Sequence, residues 1–356
     1  MKTGQTLQEM AATLQRQMET KRDFIAPERS LRLAVMERPQ PRIEIVVGNT
    51  GQFAVQPYAH QQLANHLGIP KPYYDKMLTQ APHLLVNNAN YWTSVSPLKR
   101  MVRTLDGGMR AYLSERYRPL DNYDLVEAVL PTLMEDTRVQ VESCQVTDTK
   151  LYLKATTPRL TAEITKGDVV QAGIVISNSE VGAGSVRVEP LLYRLVCLNG
   201  AIINDLAMKR YHIGGRANGN NGDDDAIQAF LRDETRAAND KAFWMTVQDV
   251  VRGVFEETRF QQIVGRFQEA ASVKIDADPV KVVEVTAKRF GLTDSERGSV
   301  LQHLVEGGDL SKYGLCQAVT RASQDVEDYE RATDLERAGG EIIELSRDAW
   351  RELTTV

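Results

Sequence analysis

Residues 99–119 read KRMVRTLDGGMRAYLSERYRP, and the alternation within this stretch decides the fold of the first half of the chain. Val102 to Leu105 is strand-like, Asp106-Gly107-Gly108 has turn chemistry, and Met109 to Ser114 is strand-like again, which predicts a β-hairpin. Side chains alternate along a strand, so Arg110 and Tyr112 share one face while Met109, Ala111 and Leu113 share the other. Lys99, Arg100, Arg103, Arg110, Arg116 and Arg118 outweigh Asp106 and Glu115, leaving this stretch strongly basic. The same alternation on residues 150–155 groups Lys150, Tyr152 and Lys154 opposite Leu151, Leu153 and Ala155. Cations beside flat rings on a sheet can neutralise phosphates and stack unpaired bases. A plain solvated strand face has the same composition.

Further hairpins extend the pattern in both directions. Ile43–Val47 and Phe53–Val55 flank Gly48-Asn49-Thr50-Gly51, and Arg138–Val146 and Lys150–Thr156 flank Thr147-Asp148-Thr149. Val169–Ser177 and Ser185–Val196 are additional strands. Helices are expected from Thr6, where Thr6-Leu7-Gln8-Glu9 fits a capping box, from near Pro57 and Pro70, over Ala81–Trp92, and over Asp121–Glu135. Hairpins with intervening helices predict an α+β fold with a mainly antiparallel, mixed sheet and flanking helices. The stretch from Gly214 to Gly222 has no apolar residue larger than alanine. Residues 1–213 are therefore taken as the α+β domain, 214–225 as a Gly/Asn/Asp-rich linker or mobile loop, and 226–356 as an acidic, all-helical region. Its helices are expected over Ala226–Ala271, as one or two, and from Pro279, Asp294, Leu310 and Ser323, the last ending near Gly339-Gly340.

The chain carries 43 basic and 48 acidic residues, a net charge of −5, so it is not an indiscriminate basic nucleic-acid binder. The charge is uneven: residues 1–222 hold 26 Lys and Arg against 21 Asp and Glu, and the remainder is strongly acidic. A polyanion would meet the first part. No apolar run is long enough to span a membrane, and the polar start lacks a signal-peptide core, so a cytoplasmic protein without membrane contact is expected. Cys144, Cys197 and Cys316 are scattered and fit buried small hydrophobes better than a disulfide or zinc site.

Enzyme signatures are sparse. Gly182-Ala183-Gly184 lacks the Lys-Ser/Thr of a phosphate loop, and Ser177, Ser179 and Glu180 sit in no nucleophile elbow. The five histidines include no i,i+4 pair; His60 and His66 are read as surface helix residues. Asp223–Asp225 fits a solvated run better than a metal centre, so no metal or other cofactor is expected. Lys209, Arg210, Tyr211 and His212, with Arg216, form a third basic cluster before the linker.

The blocks KRDFIAPERSLRL, LGIPKPYYDKM, VRTLDGGMRAYLSERYRPLDN, ISNSEVGAGSVRVEPLLYRLVCLNG and GGDLSKYGLCQAVTRASQDVEDYERATDLERAGG resemble the phage- and plasmid-associated domain-of-unknown-function family 932. The resemblance implies a mobile-element setting. It also suggests a distant similarity to RecT-, Erf- and Sak-like single-strand annealing proteins, which are ATP-independent and form rings or filaments. The expectation is a non-enzymatic, oligomeric single-stranded DNA-binding and annealing protein acting in phage or plasmid recombination or DNA maintenance. Lys99, Arg100, Arg103, Arg110, Arg116, Arg118, Lys150, Lys154, Lys209, Arg210 and Arg216 would meet the DNA, with Tyr112 and Tyr152 stacking bases. The alternatives are a protein-interaction factor acting on host defence or replication, and a metal-dependent nuclease using Glu180, Asp205 or Asp223–Asp225.

Overall fold

The structure, a computed structural model, describes residues 1–37, 42–204 and 233–355. The fold is α+β, with two sheets followed by a helical region.

The first sheet has six strands in the order β1-β5-β6-β4-β3-β2: β1 Arg22–Pro27, β2 Leu31–Met36, β3 Arg42–Val47, β4 Gly51–Val55, β5 Lys99–Leu105 and β6 Gly108–Ser114. Its pairs are antiparallel except β4 with β6, where Ala54 lies opposite Gly108. The β5–β6 hairpin turns on Asp106 and Gly107, both at positive φ (50° and 75°). That is the two-residue Asp-Gly turn whose twist matches the flanking strands. Helices α2 (Pro57–His66), α3 (Lys71–Gln80) and α4 (Pro82–Val95) cover one face. Ile43, Ile45, Leu63, Met77, Leu85, Val102 and Met109 form the core between.

The second sheet is an antiparallel meander of β7 (Gln140–Val146), β8 (Leu151–Glu163), β9 (Val169–Asn178), β10 (Arg187–Arg194) and β11 (Asn199–Ile202). On one face Leu151, Leu153, Ala155, Ile174 and Ile176 pack with α1 (Leu7–Thr20), α5 (Asn122–Leu133) and α6 (Asp233–Val254). The capping box forms: Glu9 N donates to Thr6 Oγ1, and Thr6 N donates to Glu9 Oε2 at 2.7 Å. The remaining helices are α7 (Glu257–Ser272), α8 (Pro279–Phe290), α9 (Asp294–Gly307), α10 (Lys312–Ala322), α11 (Tyr329–Glu344) and α12 (Arg347–Thr354). They share a core with the sheet: Leu160, Val170, Ala172 and Leu192 cluster with Phe267, Val283, Leu304, Val319 and Ile342. The acidic helices are thus built onto the sheet.

Several expectations change. β1, β2 and β11 carried no clear signal, being two edge strands and a four-residue strand. The long helical stretch is two helices separated at Phe255-Glu256. The helix expected from Ser323 begins at Tyr329, and Gly339-Gly340 do not end it, because α11 runs on to Glu344. A Cβ on Gly340 would overlap the Ile202 carbonyl, and one on Gly339 the Thr320 side chain, so these glycines permit close packing. Cys144 and Cys316 are buried, but Cys197 is only half-buried. No helix among the described residues is long and apolar enough to cross a membrane. The 214–225 segment lies outside the described residues.

Gly340→Ala should lower unfolding free energy by about 1–3 kcal/mol through overpacking. Gly298→Ala, exposed on α9 with open space around it, should raise it by about 0.5–1 kcal/mol through helix propensity. Urea melts of both variants check the pair; equal effects would refute the close-packing role.

Candidate nucleic-acid interface

Three of the strand-borne cations, Arg103, Arg110 and Lys154, are buried against carboxylates. On β5, Arg103 Nε and Nη2 donate to the Asp23 carboxylate at 2.9 Å each, Nη2 also donates to Asp121 at 2.8 Å, and Nη1 donates to the Glu180 carbonyl at 2.7 Å. Burial works against its charge, but the hydrogen bonds and charges of Asp23 and Asp121 outweigh this and hold the guanidinium above its ordinary range. Arg110 lies 2.6 Å from Glu180, whose other carboxylate oxygen accepts from Asn122 N at 2.6 Å. Lys21 closes the group on Asp121 at 2.6 Å. Since Glu180 sits just beyond β9, this charge cluster is where the two sheets join. The ISNSEVGAG block is a strut, with Ser179 Oγ accepting from Ala183 N at 2.8 Å.

A second cluster surrounds Glu28, which is fully buried. Its carboxylate accepts from Tyr112 Oη at 2.6 Å, Ser96 Oγ at 2.5 Å and His66 Nε2 at 2.5 Å, with Arg100 beside it. Burial would raise the Glu28 pKa, but those hydrogen bonds and the nearby cations prevail and lower it. Burial and Glu28 together push the Tyr112 hydroxyl far above its usual range. His60 is also buried, with Nδ1 2.8 Å from Tyr74 Oη, and desolvation lowers its pKa to about 4. The expectation of two surface histidines is therefore corrected: both rings turn inward.

Lys150, Tyr152 and Lys154 do share one face of β8, but α11 covers it. Lys154 Nζ lies 2.5 Å from Glu336 with both side chains fully buried, Lys150 is 3.1 Å from Glu330, and the Tyr152 and Tyr329 rings are 5.5 Å apart. Desolvation pushes the Lys154 pKa down, with Glu336 opposing it. Buried Leu335, Ile342 and Ile343 seat the same helix. At roughly 1.5–3 kcal/mol each, these three alone hold it with an energy comparable to a whole domain's stability. The helix is not a displaceable cover.

The expected basic-aromatic surface is thus corrected for Arg100, Arg103, Arg110, Tyr112, Lys150, Tyr152 and Lys154. Alternation correctly grouped Lys150, Tyr152 and Lys154, but on β6 a register shift in the β5–β6 pairing parts Arg110, which meets Glu180, from Tyr112, which shares the core with Met109. Strand pattern also carries no information on what covers a face. Arg118 pairs with Asp240. Lys99 and Arg116 remain exposed and in no ion pair among the described residues. Lys209, Arg210 and Arg216, like Asp205 and Asp223–Asp225, lie outside the described residues. No metal-binding cluster of three or more His, Cys, Asp or Glu occurs among the described residues.

The exposed aromatic face is elsewhere, on α4. This helix contains no Asp, Glu, Lys or Arg. It buries Leu85, Val86, Ala89 and Thr93 and turns Leu84, Tyr91, Trp92 and Val95 outward, with Tyr91 63% and Trp92 54% exposed. Two anchors hold it. Asn90 pairs with the backbone of edge strand β2, accepting from Leu33 N at 2.8 Å and donating to Leu33 O at 2.9 Å. Beyond its end, Ser96 Oγ bonds Glu28, and Glu28 N donates to Leu98 O at 2.8 Å. In sequence Arg32 precedes Leu33 of the first anchor, while Arg29 follows Glu28 and Lys99 follows Leu98 of the second. All three are exposed and in no ion pair among the described residues. The missed signal was a 14-residue helix with more apolar residues than one buried stripe can use and no charge.

Two measurements test the buried groups. Glu336→Gln strands a buried ammonium and should cost about 3–5 kcal/mol, much of it recovered in Lys154→Met/Glu336→Leu; chemical denaturation reads both. For His60, the unfolded state takes up a proton near pH 6.5 and the folded state only near pH 4. Its stability contribution should therefore decline as pH falls through that window, by ~3 kcal/mol in all. The loss should shrink in His60→Gln, measured by urea melts at pH 7 and 4.5; an unchanged pH dependence would refute the assignment.

No curated protein and no solved structure matches the chain. The family model described as "Domain of unknown function (DUF932)" matches residues 111–320, more than half of the sequence, from β6 into α10. The chain belongs to the DUF932 family.

Proposed function

We propose that this chain is a non-catalytic, ATP-independent single-stranded DNA-binding protein whose contact surface is the exposed face of α4. The carrying observation is the exposed Tyr91–Trp92 pair, with ring centroids 5.2 Å apart, on a helix whose anchor residues are neighbours in sequence of the exposed cations Arg29, Arg32 and Lys99. Stacking on aromatic side chains with phosphate neutralisation nearby is the general chemistry of sequence-tolerant single-strand binding. Of the residues first expected to meet DNA, Lys99 stands next in sequence to Leu98 of the second anchor. Annealing of complementary strands by an oligomer, in phage or plasmid recombination, is the activity this reading leads to.

A second reading, a protein-binding face, draws on the same helix: absence of charge with exposed Tyr and Trp is also the composition of interface centres. Fluorescence anisotropy with labelled oligothymidylate over a salt series, and mass photometry on the same samples, separates the two. Tyr91→Ala and Trp92→Ala should each weaken DNA binding by about 1–3 kcal/mol, roughly 5- to 150-fold. Each of Arg29→Gln, Arg32→Gln and Lys99→Gln should reduce the log–log salt slope by about 0.7. Absence of binding at low salt, or binding indifferent to both aromatic substitutions, would sink the DNA reading; an oligomer dispersed by Trp92→Ala without DNA would favour the second.

A further inference from the structure

The blocks LLYRLVCLNG and GGDLSKYGLCQAVTR have no part in the α4 face, yet the fold brings them together. With the β8–β9 turn and the ends of α7 and α9, they enclose a cavity of about 460 Å³ between the second sheet and the helices. This is within the roughly 300–1,000 Å³ range of small-molecule sites.

Two guanidiniums line it, both held on one residue. Arg194 Nη1 donates to Cys197 Sγ at 3.3 Å, and Arg321 Nη1 donates to Cys197 O at 2.9 Å. Arg194 is fixed from behind by Asp168, which accepts from its Nε at 2.5 Å and from Tyr313 Oη at 2.7 Å. Arg321 also bonds Gln324, and it forms no ion pair among the described residues. Its Nε and Nη2, and Arg194 Nη2, donate to no acceptor among the described residues. Among the described residues Asp168 is the one carboxylate in hydrogen-bond contact with either guanidinium, and donor capacity is left on both planar forks. The other wall cations lie by carboxylates, His303 by Asp325 at 2.7 Å and Glu306 at 3.8 Å and Lys274 by Asp309 at 3.6 Å, so that Asp168, Glu306 and Asp309 line the cavity with Arg194, Arg321 and Lys274.

Unused donors on two fixed guanidinium forks suit an anion, and the number of donors selects its kind. A carboxylate has two oxygens, which one fork can fill; a terminal phosphate has three and can take donors from both. We propose that this cavity binds a small molecule bearing a phosphate monoester, with Arg194 and Arg321 on the phosphate and the organic part in the rest of the cavity. This site is independent of the α4 face.

Isothermal titration of the full chain with inorganic phosphate, AMP and succinate tests it. Saturable binding of AMP and phosphate is expected, with succinate weaker by at least ~10-fold. Arg321→Gln removes charge-assisted hydrogen bonds worth about 1.5–3 kcal/mol, so AMP affinity should fall roughly 10- to 150-fold. Arg116→Gln, exposed and elsewhere, should leave it unchanged. Thr165→Trp, at the exposed rim of the cavity, should obstruct AMP even if Arg321→Gln disturbs folding. No saturable binding of either phosphate probe, equal binding of succinate, or AMP affinity untouched by both Arg321→Gln and Thr165→Trp would overturn the proposal.

Discussion

A charge removed from water must meet an opposite charge, and this requirement governs how the two sheets are joined. Arg103 and Arg110 leave the first sheet from adjacent strands and end on Asp23, Asp121 and Glu180, the last carried by the loop after β9. Breaking one partner of such a buried pair costs far more than the intact pair contributes. The cluster therefore acts chiefly as a register: it defines the one docking of the sheets in which no charge is left uncompensated. Glu28 does the same locally, tying the turn after β1 to α2, β6 and the segment following α4.

The elements themselves were largely legible. The Thr6 capping box, the Asp106-Gly107 turn, the prolines at the starts of α2 and α3, and the alternation along β8 all depend on local physics, and each appears where it was expected. The faces of β8 were also sorted correctly, since Lys150, Tyr152 and Lys154 do project together, whereas the bulge in the β5–β6 pairing puts Tyr112 with Met109 rather than with Arg110. What could not be read was the layer above them. Glu336 meets Lys154 across 182 residues, and no periodicity in either segment announces the other. The same limit reversed the meaning of the basic residues: a cation on a strand has one appearance in sequence whether it faces solvent or a carboxylate. The candidate surface was missed for the opposite reason. Tyr91 and Trp92 look like core residues until Leu85, Val86 and Ala89 are seen to fill the buried stripe.

Asn90 shows how closely that surface is tied to the integrity of the sheet. An edge strand offers unpaired backbone groups to any extended chain, and the Asn90 amide occupies both groups of Leu33 on β2. The residue next to it is Tyr91. The helix that closes the sheet edge is thus the one that presents the aromatic pair.

The distance in sequence between Lys154 and Glu336 also bears on how the protein is made. A ribosome adding about 5–20 residues per second needs on the order of 10–40 s after Lys154 emerges before its counter-ion exists. Until then β8 carries an ammonium that the finished protein buries completely, and one face of the second sheet lacks its helical cover. The meander cannot reach its final packing early in synthesis. It must wait, partly open, for a helix whose Glu336 is made 182 residues later, an interval in which a chaperone would find apolar strand surface to hold.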